Sequence, residues 1–424
     1  MAELTDAAAQ PVGRPEAVPR KARFAALEVP TFRAYWVASA VSITGDGMEN
    51  VLRNWLVLQL TGALAPFWLG MMVFAHWVPF TFFSLYGGVL ADRYDGRKVQ
   101  IASQLLLLAA ALGVAAATLV GFVTEWWIFG FLLLHGFAGA IGNPAQQTLI
   151  HNMVGRDRLL SAVSLNSSAR QVSQVVGPVV GGAILVTFGP GWGFAVNALT
   201  FIPLLVLLTL IRVRRLGEAP PRQSTAASLG EGLRFVRSRP TIASFIAVEM
   251  IPIIFLGHAF NSLLPVFATQ RLGSDAIGYA ILLAGSGAGA LAAAVYLAYA
   301  REVRRKGILI IVAAMIEMVA ILVFALSTSF ALSFLLLVAV GAAAVVTQAV
   351  TNTTIQLSSP DAIRGRVMGA YTLGTQGMRV VNGPVLGALA LAIGTPLAVA
   401  SSAGLVLVVL GVILIAVPRV RAVD

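Results

Sequence analysis

Hydrophobic residues fill long blocks along this chain, and polar residues gather mainly in the short gaps between them. Read as helices, the blocks give spans 33–60, 66–91, 99–122, 125–150, 159–187, 192–212, 241–268, 275–300, 307–327, 329–356, 363–392 and 396–417. Each is long enough to cross a hydrocarbon core, which needs roughly 20 residues. Spans 159–187 and 363–392 are the least hydrophobic, rich in Ser, Gln, Gly and Asn. Polar helices of this kind persist in a membrane only where protein or a water-filled cavity surrounds them. The pattern predicts an all-α membrane protein with twelve transmembrane helices.

Composition strengthens that reading. The chain has 424 residues, 58% hydrophobic and 11% charged, whereas soluble domains carry about 25% charged residues. Cysteine is absent, which excludes disulfides, thiolate metal sites and thiol nucleophiles. Residues 1–30 hold Pro, Ala and scattered charges without an apolar run. They read as a flexible tail, neither signal peptide nor span.

The placement of charge sets the topology. Net charge is +11, from 29 Lys and Arg against 18 Asp and Glu. Only Arg53, Arg170 and Arg379 lie well inside spans, and Arg271 follows span 7. All other basic residues fall in the N-terminal tail, around the loops after spans 2, 4, 6, 8 and 10, or after span 12. Cytoplasmic loops carry the positive excess, so both termini are expected in the cytoplasm, with the protein in a bacterial-type inner membrane. Dispersed basic segments suit the anionic lipids of an inner leaflet, and nucleic acid is not an expected partner.

The chain also repeats itself. At a constant offset of 206, "RLLSAVSLNSSARQVSQVVGPVVGGAIL" from residue 158 aligns with "RGRVMGAYTLGTQGMRVVNGPVLGALAL" from residue 364. Gly177, Pro178, Val179 and Gly181 fall on Gly383, Pro384, Val385 and Gly387. The loops "DRYDGRKV" at 92–99 and "REVRRKGI" at 301–308 also correspond. Two copies of a six-helix unit are predicted, in a 6+6 parallel repeat. The expected division is a tail at 1–30, a first bundle at 31–213, a cytoplasmic linker at 214–240, a second bundle at 241–418 and a short tail at 419–424.

"GVLADRYDGRKV" (88–99) resembles the signature loop between helices 2 and 3 of the major facilitator superfamily. "VVGPVVGG" (175–182) resembles that superfamily's antiporter motif on helix 5. "NPAQQTLI" (143–150) with "RLLSAVSLNSSARQ" (158–171) resembles its branch of drug, macrolide and siderophore exporters, the transmembrane secretion effector-like proteins. The likeness covers roughly residues 31–418. It implies a monomeric secondary transporter working by alternating access, with a cavity lined by helices 1, 4, 7 and 10. Two departures stand out. "DRYDGRK" is one residue longer than the commonest form of the loop. Where many proton-coupled drug exporters carry an inward Arg on helix 4, this chain has His135.

Charges inside a span cost ~2.5–3.5 kcal/mol each on insertion scales, so they mark function or a compensating partner. Span 1 carries Asp46, Glu49, Asn50 and Arg53, and steps of three and four put the charged residues on one helical face. Glu49 and Arg53 can pair, which leaves Asp46 the least matched. Gly45 and Gly47 flank Asp46, a thinly covered backbone that water or substrate can approach. Span 5 holds Arg170 among Ser167, Ser168, Gln171 and Gln174, and span 11 holds Gln376 and Arg379 as its counterpart. Glu249 and His258 lie in span 7. Gln146 and Gln147 in span 4, with Gln348, Thr351, Asn352 and Thr353 in span 10, are uncharged candidates for cavity lining. Glu317, on span 9, is expected to face its own bundle. His76 and the aromatic residues of span 2 read as packing.

The resemblance gives Gly88, Asp92, Arg93, Gly96 and Arg97 a gating role at the cytoplasmic ends of helices 2 and 3. Gly96 is expected to permit a tight turn. Asp92 is expected to face the start of helix 11, with Ser359 as its N-cap. Gly177, Pro178, Gly181 and Gly182 remove bulk and permit close helix crossing; in the family this motif accompanies export. No Walker-type sequence is present, so no nucleotide cofactor is expected. No metal site is read either, because the four His show no H-x-x-x-H spacing. The implied activity is export of a small amphiphilic molecule, such as a drug or siderophore, by proton-coupled antiport. An importer of a small metabolite on the same fold is the alternative. A non-transporting receptor or an intramembrane enzyme is more distant.

Overall fold

The computed structural model describes residues 24–213, 225–300, 305–360 and 363–416, without the side chains of residues 85, 88, 89, 91–93, 225–229 and 258. Among these residues no strand occurs. The first helices are α1 (Pro30–Thr61), α2 (Ala65–Arg93) and α3 (Gly96–Val120). A helical run then extends over Glu125–Leu210 and turns sharply where Gly155 and Gly189 take φ of 71° and 80°. These left-handed values suit glycine, which has no Cβ to clash. They divide the run into α4 (125–154), α5 (156–188) and α6 (190–210).

A linker helix, Thr225–Ser238, precedes α7. α7 runs as Pro240–Phe255, breaks at Leu256, and resumes as Gly257–Val266 with a wider π turn at Phe267–Arg271. Pro252 and the positive φ of Gly257 lie at the break. α8 (Ala276–Tyr299), α9 (Lys306–Leu326) and α10 (Phe330–Ser358) follow. α11 is split at Met378 into Arg364–Gly377 and Arg379–Ile393, and α12 is Thr395–Ala416.

Eight stretches of the described residues are long and apolar enough to cross a membrane. The first of them holds α1 and most of α2, and the third holds α4, α5 and α6. The two pieces of α11, 14 and 15 residues long, are each too short alone. The helices thus agree with the twelve spans read from the sequence.

Local chemistry explains several boundaries. Asp95 caps α3 by accepting from the Arg97 amide at 2.9 Å. Asp275 caps α8 by accepting from the amides of Ile277 and Gly278, both at 3.0 Å. Each satisfies amides that have no partner inside the helix. Gly121 ends α3 in the left-handed conformation. Apolar side chains face outward as well as inward: on α12, Val408, Val412 and Ile415 are exposed while Val399, Ala403, Val406 and Leu410 are buried. That is expected of a helix with lipid on one side and protein on the other.

α1–α6 pack as one bundle and α7–α12 as a second. They meet along two seams, α2 with α11 and α5 with α8. At the first, Gly70 and Gly383 face each other so closely that a Cβ on either would lie 2.2 Å from the other's carbonyl oxygen. At the second, Gly182 abuts Ala280 and Gly287 abuts the Gln174 backbone. Asn54 on α1 also donates to the Tyr279 hydroxyl on α8 at 3.1 Å. These contacts run from mid-height to the end away from the basic loops. The linker helix, within the stretch read as a cytoplasmic linker, is held beneath the second bundle by a Glu231–Arg366 ion pair and by Val236, packed with Ile242, Ile355 and Val367.

Candidate functional site

Between the bundles lies a cavity of about 470 Å³. α1 supplies Asp46, Glu49, Asn50 and Arg53 to its lining. α2 supplies an aromatic wall of His76, Trp77 and Phe80. α4 brings His135, Gly139, Asn143 and Gln146, and α5 brings Arg170, Gln174 and Pro178. The second bundle contributes Asn261 and Ser262 from α7 with Leu283, Ser286 and Gly287 from α8. The lining includes α1, α4 and α7, as the resemblance implies. It takes nothing from α10, so Gln348, Thr351, Asn352 and Thr353 do not line this cavity.

Glu49 is 1% exposed and is held from two sides. Arg53 donates through Nη1 to Glu49 Oε1 at 2.9 Å, one helical turn along α1. Across from it, His135 Nδ1 on α4 lies 3.0 Å from Glu49 Oε2. That contact has ion-pair distance without the direction of a good hydrogen bond. Arg53 also donates to Asn50 and, at 3.3 Å, to Asn54 Oδ1. Asp46, one turn before Glu49, has Oδ1 buried with no hydrogen-bond partner among the described residues.

Ligand atoms of Asp46, Glu49 and His135 lie within 4.8 Å of one another, a spacing that a cation can bridge. Arg53 already supplies a positive charge to the Glu49 carboxylate. The arrangement is two acids, one imidazole and one guanidinium on the wall of one cavity. Arg170 does not close onto either acid: its Nη2 lies 3.4 Å from Gln146 Oε1, and the residue is exposed.

Of the glycines beside Asp46, Gly45 is covered and Gly47 forms part of the cavity wall. Gly45 is buried against Thr200 and Asn197 of α6, and Gly47 against Ser173 and Gly177 of α5. They let α1 cross two neighbours closely, and Gly47 also lines the cavity beside Asp46. The helix-5 motif splits its work. Gly177 and Gly181 pack on Gly47 and Met48 of the same bundle, while Gly182 meets Ala280 of the other. The equivalents Gly383 and Gly387 both press on α2, across the seam.

Glu249, Gln376 and Arg379 lie outside the cavity lining and belong to the second bundle. Tyr371 donates its hydroxyl to both oxygens of Glu249, at 2.7 and 2.9 Å. Asn352 lies beside Tyr371 and accepts from Gln356 at 2.5 Å. Arg379 stacks over the Trp77 ring, 4.7 Å from its centroid. Glu317 is within electrostatic reach of Glu249, inside its own bundle.

At the basic face two expectations change. Gly96 does not take a left-handed turn; it is the first residue of α3, near the Ala145 carbonyl. Ser359 is not the N-cap of α11. Its hydroxyl donates to the Ile355 carbonyl at 2.6 Å and finishes α10, and α11 begins after Ile363. Pro360 separates the two helices, and the residue before a proline is driven to extended backbone. Arg97 donates to the Ile211 carbonyl at 2.5 Å, tying α3 to the end of α6. The side chains of Gly88, Asp92, Arg93 and His258 lie outside the described residues.

Several contributors are absent from the sequence-based site, among them His135, Asn143, Asn261 and the His76–Trp77 pair read as packing. A signal for the first exists. His135, Gly139, Gly142, Asn143 and Gln146 form a small and polar stripe at helical spacing in an otherwise apolar span, and all five line the cavity.

Comparison with known proteins agrees with this geometry. The enterobactin exporter EntS of Shigella boydii serotype 4 (strain Sb227) is 28% identical over 404 residues, covering 92% of each chain. EntS of Escherichia coli O81 (strain ED1a) matches to the same extent. Among solved structures, the nucleoside transporter NupG superposes with a TM-score of 0.72 at 15% identity, over 91% of this chain and 98% of that one. A D-xylose-proton symporter does so with a TM-score of 0.70 at 14% identity, over 94% and 98%. At such identities these two share the fold. The family model described as transmembrane secretion effector matches residues 21–424. The chain therefore belongs to the transmembrane secretion effector family of the major facilitator superfamily: an integral membrane secondary transporter that exports a small molecule, not an enzyme.

Proposed function

We propose that this chain exports an amphiphilic molecule by proton antiport, with Asp46 as the residue that binds and releases the driving proton. One observation carries the reading: a buried carboxylate oxygen without a hydrogen-bond partner, in the inter-bundle cavity, beside an acid held by an imidazole and a guanidinium. Among the described residues Glu49 is ion-paired and Asp46 is not, so protonation of Asp46 changes the charge of the cavity with the least structural cost. An intramembrane acid of this kind is a usual member of proton relays.

The cargo follows from the walls. Trp77 and Phe80 offer aromatic surface, and Asn50, Gln146, Arg170 and Gln174 offer donors and acceptors. The EntS relatives are named for enterobactin export, so a siderophore is the first compound to test. The bundles rock as a monomer in a lipid bilayer, with both termini and the basic loops in the cytoplasm. The positive-inside distribution supports that orientation.

The test is a compound panel, siderophores included, in an exporter-deficient bacterial host. Wild type should lower cellular content of the cargo until the pH gradient is collapsed. Asp46→Asn mimics the protonated acid; it should still exchange cargo down a gradient and lose uphill export. Uphill export by Asp46→Asn with the pH dependence of wild type would remove Asp46 from this role.

A further inference from the structure

The cavity cluster sits in the first bundle. A second buried acid, Glu249, sits in the other, 6% exposed and clamped by Tyr371. A chain of contacts joins them. Glu49 meets His135 at 3.0 Å. The His135 and His76 rings lie 5.0 Å apart, pressed together where Gly136 brings α4 onto the α2 backbone at His76. His76 and Trp77 lie 5.2 Å apart. Arg379 of the second bundle covers the Trp77 face at 4.7 Å and is within electrostatic reach of Glu249.

We propose that Arg379 and Trp77 are positioning residues that transmit the charge state of Glu249 across the bundle interface to the Asp46–Glu49–His135 cluster. The inference rests on the proton-antiport reading above. The Arg379 guanidinium has two competing resting places. One is the π face of Trp77, favoured for a planar cation. The other is the carboxylate of Glu249. In this structure Tyr371 serves Glu249 and Arg379 lies on Trp77. A charged Glu249 draws Arg379 toward its own bundle, and a neutral one leaves it on Trp77. Because Trp77 belongs to the opposite bundle, the choice makes or weakens a contact across the α2–α11 seam. Arg379 opens the second piece of α11, immediately after the break at Met378, where the helix has least resistance to a local shift.

The groups facing Glu249 are few. α11 presents Tyr371 and Arg379, and α9 presents Glu317. α10 and α12 carry no titratable residue over 330–358 and 395–416. On the linker helix, Glu231 is engaged with Arg366, and Arg234 and Arg237 are exposed at the basic face. The charge that Glu249 can redirect is therefore that of Arg379.

The test uses the full chain in lipid nanodiscs and needs no cargo. The chain has no cysteine, so Gln147→Cys with Gln356→Cys places a single spin-label pair on exposed ends of α4 and α10. Inter-label distances are measured from pH 5.5 to 8.5. Wild type should redistribute between two distance populations as pH changes. Trp77→Leu, which removes the π face, should change the population ratio at a given pH by about fivefold, the equivalent of a typical cation–π contact. Trp77→Phe should restore most of the response. Arg379→Lys, which keeps the charge without the planar face, should fall between the two. Glu249→Gln, which stays neutral, should hold Arg379 on Trp77 and flatten the pH response, while Trp77→Leu still shifts the population ratio in that background.

A purely structural Trp77 would lower the melting temperature and leave the pH midpoint in place, and that result overturns the proposal. So does a response altered by Asp46→Asn but untouched by Trp77→Leu and Arg379→Lys, which would leave the proton-antiport reading standing. A wild-type protein whose distances ignore pH overturns both.

Discussion

Replacing Gly383 by Ala should push the transporter toward the state opened at the end away from the basic loops. An added Cβ would lie 2.2 Å from the Gly70 carbonyl oxygen and 2.8 Å from the Val73 Cβ, whereas real Cβ contacts essentially never fall below 3.0 Å. The obstacle at Gly70 is helix backbone, which cannot swing aside like a side chain, so α2 and α11 must separate by roughly 1 Å. Overpacking of this kind costs about 1–3 kcal/mol. The cost falls only on the state in which the α2–α11 seam is shut. The population ratio should then move by about 5- to 150-fold, at 1.4 kcal/mol per factor of ten.

Two controls separate bias from damage. Gly177→Ala also meets backbone, 2.7 Å from the Gly47 Cα, but that contact lies inside one bundle and persists in both states. It should lower stability without shifting the equilibrium. Gly411→Ala has nothing within 4 Å and should be silent. The assay is the distance between spin labels at Ala63→Cys and Ala392→Cys, both exposed at that end. Gly383→Ala should enlarge the long-distance population. An unchanged distribution, or the same widening in Gly177→Ala, would refute the argument that this seam gates access.

Further outcomes follow from the cluster and the topology. Glu49→Gln should destabilise the full chain in detergent by about 2 kcal/mol, because Arg53 loses a charge-assisted partner and keeps only amides; thermal melting checks this, and Asp46→Asn should melt near wild type. Gln270→Cys, at the end of α7 away from the basic loops, should react with an impermeant maleimide added outside intact cells, and Ser238→Cys on the linker helix should not; reversed labelling overturns the assigned orientation.

The periodicity and length of apolar blocks located the helices to within a few residues, because a lipid environment demands long, internally hydrogen-bonded segments and leaves few alternatives. The 206-residue offset gave the two-bundle plan. Glu49 and Arg53 were legible as a pair, since spacing of four on a helix places side chains side by side. Local rules failed where the partner came from elsewhere in the chain. Gly45 reads as thinly covered backbone, but α6 fills the space it leaves. Ser359 followed by Pro360 read as the start of a helix, but the hydroxyl closes the helix before it.

What the sequence by itself determined is the membrane class, the placement of the described helices, and which polar residues are costly enough to need a reason. What only the tertiary structure decided is which of those residues meet. His135 lies 86 positions from Glu49 in the chain and touches it because α4 crosses α1. Arg379 and Trp77 come together from opposite halves because two glycine-lined helices close one seam. Glu249 and Asp46, both acids within spans, fall into different bundles. Helical periodicity fixes the face on which a residue lies, but the neighbour against that face is chosen by packing across the whole fold, which no local pattern encodes.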